Sequence, residues 1–424
     1  MKARVVVLDD DPTGTQCASA VTVALDPHPA ALAAFDDTAL YVLTNTRAMN
    51  AQAAAATVRG VMAGFAGRTD LPAVFVLRGD STLRGHIATE MHELGLARGV
   101  GLIVPAYPAA GRVTVGGVHY LQSGDVRTNV ADTEFAGDPV FGFVARTMAD
   151  WIRDSGTTEQ VIGVGLPELR RGGPAALAGH LARAPLGAVV VPDVETNADV
   201  DMIAAGFWRA VDAGLRVITR CAAPLAATIA KRPGRILRNV ELAAAKTLVV
   251  CGSHTAAASR QLHRLAGDGL PVRTLPTAEL LAGCCAAEAV VADIVAAAIG
   301  DLDTRGLAIL ATERLRLPEN HSLDHGARVM NRLTQVVSAL SGHVSAVVTK
   351  GGITSAEVAT NGLGGSSAFV RGQLLTGVSL FQVRCADGRV MPQVVVPGNV
   401  GDDDTLAVVC ELLGTQGSAD VEGA

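Results

Sequence analysis

The sequence predicts an α/β protein built from two α/β domains with mainly parallel sheets. Three observations predict it. Short runs of Val, Ile and Leu recur along the chain, each followed by a loop and an Ala-rich amphipathic stretch. The runs are apolar throughout rather than alternating, as in strands buried on both faces of a parallel sheet. The chain has 424 residues, more than one ordinary core takes up, so two domains are expected.

In chain order, the first half offers strands at Arg4–Leu8, Ala39–Leu43, Ala73–Leu77, Gly101–Val104, Val161–Val164, Ala188–Val191 and Leu215–Thr219. Ala51–Phe65 and Leu83–Leu96 are long enough for helices, and the alternation implies βαβ units in an open sheet. The segment Lys231-Arg232-Pro233-Gly234-Arg235 breaks the pattern with basic residues and a Pro-Gly pair. It closes a first domain at residues 1–235, and a second is expected over residues 245–414. That second half offers strands at Thr247–Val250, Leu307–Leu310, Ala346–Thr349, Val378–Val383 and Val390–Val396, and helices over Gly326–Leu340 and Asp404–Leu413. Gly362–Ser367 reads as a mobile or tightly turning loop, and Thr415–Ala424 as a small, polar, frayed tail.

Composition excludes several classes. With 49% hydrophobic and 18% charged residues the chain can pack large cores, which rules out disorder. A net charge of -6 without any long Lys/Arg run argues against a nucleic-acid partner. Seven scattered cysteines without a C-x-x-C pair argue against a disulfide framework and a zinc site, and the adjacent Cys284 and Cys285 read as small packing residues. The start of the chain lacks signal-peptide features and the apolar runs are too short or interrupted to span a bilayer, so a cytoplasmic protein without a membrane partner is expected. Ala-rich helix faces leave room for a homodimer.

The chemistry-bearing residues follow strands. Asp9-Asp10-Asp11-Pro12-Thr13-Gly14 comes directly after the first run. Three adjacent carboxylates repel one another and call for a cation or donor, and ligands of open α/β sheets bind at the carboxyl ends of the strands. Arg78-Gly79-Asp80-Ser81-Thr82-Leu83-Arg84-Gly85 follows the third run. Here Asp80 or Ser81 is placed to cap the next helix, and Arg84 offers a planar fork for a carboxylate. Arg47, after the second run, adds a guanidinium at the same edge. In the second half, Gly252-Ser253-His254-Thr255, Lys350-Gly351-Gly352-Ile353-Thr354 and Pro397-Gly398-Asn399-Val400-Gly401 are strand-end turns open to a phosphate, with Thr354 expected to cap a helix. None matches a P-loop or dinucleotide fingerprint. His321 and His325 are four apart, but no H-E-x-x-H accompanies them, and a solvated helix start is the plainer reading. His254 is placed either to touch a nucleotide or to cap and pack.

Together these motifs resemble those of the four-carbon acid sugar kinase family. The family's opening turn is matched by Asp10-Asp11-Pro12-Thr13-Gly14, and its most specific motif, D-S-T-L-R-G, stands intact as Asp80 to Gly85. Its later G-S-x-S-like, G-G-x-T-S and G-N-x-G turns are matched by Gly252–Thr255, Gly351–Ser355 and Gly398–Gly401, in family order. The resemblance implies an N-terminal domain that binds an acid sugar, a C-terminal domain that binds ATP, ligand sites in the cleft between them, and phosphorylation of a four-carbon sugar acid; Mg²⁺ is expected to bridge the ATP phosphates, whose charge must be offset. It implies a substrate site of Asp10, Arg47, Arg78, Asp80, Ser81 and Arg84, and an ATP site of Ser253, Gly351, Gly352, Thr354, Gly398 and Asn399. Arg84, Asp10 and Asp80 are the expected catalytic groups: Arg84 for the carboxylate, and Asp10 or Asp80 for the hydroxyl proton. The chain departs from the family pattern at Pro12, at Arg78-Gly79 before the central motif, and at Arg220-Cys221-Ala222-Ala223 where a G-S-A-G-like turn is usual. A sugar-acid sensor without catalysis is the alternative; a Rossmann oxidoreductase would need a G-x-G-x-x-G that is not found.

Overall fold

The apolar runs become strands, and most of the strands are parallel. The computed structural model describes residues 3–68, 71–238, 242, 244–267, 269–281, 284–314 and 323–414. The chain divides into two units, Met1–Gly234 and Arg235–Ala424. His321, the side chains of Cys284 and Cys285, and the tail from Thr415 fall outside the described residues, and so do their readings.

In the first unit the strands are β1 (Arg4–Asp9), β2 (Val21–Ala24), β3 (Ala39–Leu43), β4 (Ala73–Arg78), β5 (Val100–Val104), a meander of β6 (Arg112–Val115), β7 (Val118–Ser123) and β8 (Val126–Asn129), then β9 (Val161–Val164), β10 (Val189–Pro192) and β11 (Val217–Cys221). Among the described residues the main strands run in the order β2-β3-β1-β4-β11-β5-β10-β9, with parallel neighbours throughout. Val-rich segments suit this, since branched side chains pack well on a pleated surface. Val6, Leu8, Val42, Leu77, Ile103 and Val189 share one buried core.

The second unit holds β12 (Thr247–Cys251), β13 (Val272–Leu275), β14 (Leu307–Thr312), β15 (Ala346–Lys350), β16 (Ser367–Leu375), β17 (Val378–Arg384) and β18 (Val390–Val396). Their order is β13-β14-β12-β15-β18-β17-β16. The first five strands in that order are parallel, and β16, β17 and β18 pair antiparallel. Val249, Ile309, Val348, Val394 and Leu406 belong to a core of their own.

Register places the site-bearing turns. Asp9 lies opposite Leu43 and Arg78, and Arg78 opposite Cys221, so the turns after β1, β3, β4 and β11 leave one sheet edge. In the second unit Cys251 lies opposite Ala311 and Lys350, and Lys350 opposite Val396, which gathers the turns after β12, β14, β15 and β18.

Three expectations are corrected. The helix foreseen over Leu83–Leu96 starts at Ile87 and ends at Glu93, with His86 at its N-cap and no side-chain cap. Asp80–Gly85 is a turn instead: Leu83 (φ 71°) and Gly85 (φ 121°) sit in the left-handed region, which ends right-handed helical winding. Asp80 and Ser81 therefore cap nothing. Thr354 likewise lies inside the helix Gly352–Glu357, whose N-cap is Gly351 without a side-chain bond. The Gly362–Ser367 stretch turns tightly, with Gly364 at φ 62°, before β16, a strand that alternates buried with half-buried or exposed residues.

Candidate functional site

The first-unit site is built around Arg78, the last residue of β4. Its side chain is 3% exposed, and Nη1 donates to Asp9 Oδ1 at 3.1 Å, Asp10 Oδ1 at 2.7 Å and Asp11 Oδ1 at 3.1 Å, while Nη2 donates to Thr13 Oγ1 at 3.0 Å. One guanidinium thus supplies the counter-charge that three adjacent carboxylates require. Burial would lower the Arg78 pKa, but Asp9, Asp10 and Asp80 outweigh it and hold it above its usual value. Sequence placed Arg78 among the substrate contacts; in the structure both of its terminal nitrogens are occupied within the opening turn.

Asp9 is enclosed completely, and burial pushes its carboxyl up from 3.8 to about 7 despite Arg78. Its Oδ2 has no partner, and neither has Asp10 Oδ2. The Asp10 oxygen faces the D-S-T-L-R-G turn: it lies 3.6 Å from the point where a Gly85 side chain would begin.

Asp80 is engaged on both oxygens. Oδ2 accepts from Arg84 Nε at 2.7 Å and from the Thr82 hydroxyl, and Oδ1 lies 3.4 Å from Arg47 Nη1. Burial opposes its charge, yet Arg84 and Arg47 together hold its pKa well below the usual carboxylate range. Arg47 also reaches Asp10 at 3.8 Å and touches the Asp11 carboxylate. Burial pulls the Arg47 pKa down against the pull of Asp10 and Asp80. Arg84 stacks 5.1 Å over the Phe135 ring and sets Nη1 3.7 Å from Asp138. Ser81 is held through its backbone: its carbonyl lies 2.9 Å from His119 Nε2, and Thr114 Oγ1 lies 2.9 Å from His119 Nδ1. Burial drops the His119 pKa to about 4, so the ring is neutral near pH 7. A carbonyl only accepts, so Nε2 carries the proton and the Thr114 hydroxyl donates to Nδ1.

Sequence reasoning missed Arg220 and Glu90. They form an ion pair with side chains 6% and 3% exposed, and Thr46 Oγ1 donates to Glu90 Oε1 at 2.5 Å. Arg220 fills the space left by two glycines: a Cβ at Gly79 or Gly85 would stand 2.6 or 2.7 Å from its Nη2. Arg220 also lines a shallow recess with Gly79, Asp80, Leu83, Arg84, Ile103, Pro105, Trp151 and Cys221. The signal was present in part, because the Arg220–Ala223 segment departs from the family pattern and follows a strand at this edge.

In the second unit the turns bring Ser253, Gly351, Thr354 and Gly398 together. A Cβ on Gly398 would stand 2.5 Å from Ser253 Oγ, one on Gly351 3.0 Å from Ser253 Cβ, and one on Gly252 2.3 Å from Thr354 Oγ1. Thr255 Oγ1 donates to Gly398 O at 2.6 Å, and Ser253 N to Lys350 O at 3.2 Å. Gly352 opens the short helix of this cradle, and Asn399 sits half-buried in the Pro397–Gly401 loop. Such backbone-lined turns suit phosphate oxygens.

Comparison with known proteins fits this geometry. Residues 5–229 match the family model described as a sugar-binding N-terminal domain, and residues 248–406 the one described as a nucleotide-binding C-terminal domain. A D-threonate kinase of Bordetella bronchiseptica is 31% identical over 376 residues, covering 87% of this chain and 84% of that protein. A D-erythronate kinase of Heliobacterium modesticaldum is 30% identical over 202 residues, 45% of this chain and 42% of the length of that relative. Among solved structures, a Salmonella typhimurium LT2 protein provisionally named as a tRNA synthase superposes with a TM-score of 0.71 at 16% identity, covering 96% of this chain and 98% of its own. A Haemophilus influenzae protein from a domain-of-unknown-function family gives a TM-score of 0.62 at 17% identity, covering 96% and 100%. These two share the fold.

Proposed function

The chain belongs to the four-carbon acid sugar kinase family, and from that premise we propose that it transfers the γ-phosphoryl group of ATP to the terminal hydroxyl of a four-carbon sugar acid of the threonate, erythronate or 3-oxo-tetronate type. The observation that carries this reading is the Asp10 carboxylate. One oxygen is fixed by Arg78, and the other is buried, unpartnered and turned toward the motif that bears Arg84.

Phosphoryl transfer asks for positioning and charge neutralisation more than covalent chemistry. Arg84 holds the substrate carboxylate, since Nε and Nη1 are oriented by Asp80 and Asp138 and the planar fork suits a carboxylate. Ser81 and Arg47 border the same ligand. Asp10 accepts the hydroxyl proton through its open oxygen. Asp80 is the weaker base of the two, because its oxygens are taken up and its pKa is depressed; it orients Arg84 and Arg47. Gly351, Gly352, Gly398 and Asn399 hold the nucleotide phosphates through the backbone, with Ser253 and Thr354 beside them.

Among the described residues no group of three or more His, Cys, Asp or Glu side chains is arranged to hold a metal ion. Mg²⁺ would enter with the nucleotide as Mg·ATP, offsetting phosphate charge.

A coupled ADP-release assay tests the reading, run with Mg·ATP against D- and L-threonate, D- and L-erythronate and their 3-oxo forms. Turnover that depends on one of these acids is expected. Silence on every acid by a folded protein that binds ATP would count against catalysis and favour a sensor.

A further inference from the structure

Lys350 ends β15 with its side chain fully enclosed. Nζ donates to Pro397 O at 2.7 Å and to Val400 O at 3.0 Å. Among the described residues no carboxylate lies within ion-pair distance of it, and the titratable side chain that bears on it is the Cys251 thiol. Burial lowers its pKa to about 8, so it stays charged at neutral pH. An enclosed ammonium without an anion is a costly arrangement.

A second cation repeats it. Arg314, two residues beyond β14, donates through Nη2 to Ser253 O and to Ser259 Oγ at 3.1 Å, and sets Nη1 3.8 Å from Cys251 Sγ. It too has no carboxylate partner among the described residues. The first-unit arginines differ, for Arg47, Arg78, Arg84 and Arg220 are each met by an acid. One site neutralises itself; the other keeps two positive charges beneath its turns.

The lysine also sets backbone direction. It draws in the carbonyls of Pro397 and Val400, and Thr255 draws in that of Gly398. Across a planar trans peptide the next N–H points the opposite way. The N–H groups of Gly398 and Gly401 are thereby turned away from Lys350, and that of Asn399 away from Thr255, as an anion-binding loop requires.

We infer that Lys350, with Arg314 beside it, is a positioning residue that fixes the Pro397–Gly401 loop and supplies the counter-charge by which this site favours a nucleoside triphosphate over a monophosphate. The inference rests on the nucleotide reading of the second unit. Its test is calorimetric binding of metal-free ATP, ADP and AMP, with EDTA at fixed salt, to the full-length wild type, Lys350→Met and Arg314→Gln. Lost charge should weaken ATP about tenfold, ADP less, and AMP by less than about twofold, because Coulomb attraction grows with ligand charge. Equal losses for all three would show a purely structural support, and unchanged ATP affinity would remove the role altogether. Either result overturns the inference. A wild type that binds none of the three would instead overturn the nucleotide reading. If Lys350→Met does not fold, Arg314→Gln, at a half-buried position, decides by the same comparison.

Discussion

At Asp9, burial outweighs a neighbouring guanidinium, and the consequence is a proton. The folded protein keeps that proton up to about pH 7, whereas the unfolded chain releases it near 3.8. Between these values the native state binds more protons, so the contribution of Asp9 to stability is full below the lower value and is lost as pH rises to the upper one. Urea denaturation of wild type and Asp9→Asn should show wild-type stability falling relative to the variant between about pH 4 and 7. A constant difference across that window would contradict the buried-proton account. Arg84→Ala should cost on the order of a hundredfold or more in kcat/KM, the scale of a lost charge-binding group; unchanged kinetics in a folded variant would remove Arg84 from the mechanism. Asp10→Asn should lower kcat by roughly 10² or more, while Asp80→Asn should chiefly raise KM for the acid. The reverse assignment would make Asp80 the base. Asp10, Arg47, Asp80 and Arg84 were legible because each stands within a few residues of a strand end. Glu90 and Arg220 pair across 130 residues of sequence, and a single Glu on a short helix reads as solvated until the fold brings its partner.

Among the elements, the turn after β4 matters most. Gly85 has φ 121°, and a Cβ there would meet the Arg220 guanidinium, which Glu90 holds in place. Gly85→Ala should therefore destabilise by about 1–3 kcal/mol, visible as a lower Tm with activity reduced in step. A Tm equal to that of wild type would mean the turn is looser than its geometry implies. Long apolar runs made β1, β3, β4, β5, β9, β10, β12, β14 and β15 readable to within a residue or two. The strand expected at Leu215–Thr219 lies two residues later, and that shift carries Arg220 to the sheet edge. The meander β6–β8 left no apolar signal because it is rich in Thr, His, Gln and Arg and much of it is half-buried or exposed. Its role shows only through contacts: His119 holds Ser81, and Asp193 accepts from the backbone N–H groups of Gly116 and Gly117 at 2.8 and 2.9 Å.

For the whole molecule, two units with separate cores carry two sites of contrasting charge. The first pairs Arg47, Arg78, Arg84 and Arg220 with acids, whereas among the described residues Lys350 and Arg314 of the second meet no carboxylate. Among the described residues no helix is long and apolar enough to cross a membrane. Ligand that binds only the native state must stabilise it by mass action, so Mg·ATP should raise Tm in wild type and raise it less in Lys350→Met. The central claim is that phosphate leaves ATP and arrives on a four-carbon sugar acid, and ³¹P NMR of a mixture of the protein, Mg·ATP and the acid selected by the ADP-release panel tests it most directly. The account predicts a new phosphomonoester resonance on the terminal oxygen, growing one-for-one with ADP and on the order of a hundredfold more slowly with Arg84→Ala. ADP accompanied by inorganic phosphate alone, with no ester, would contradict it.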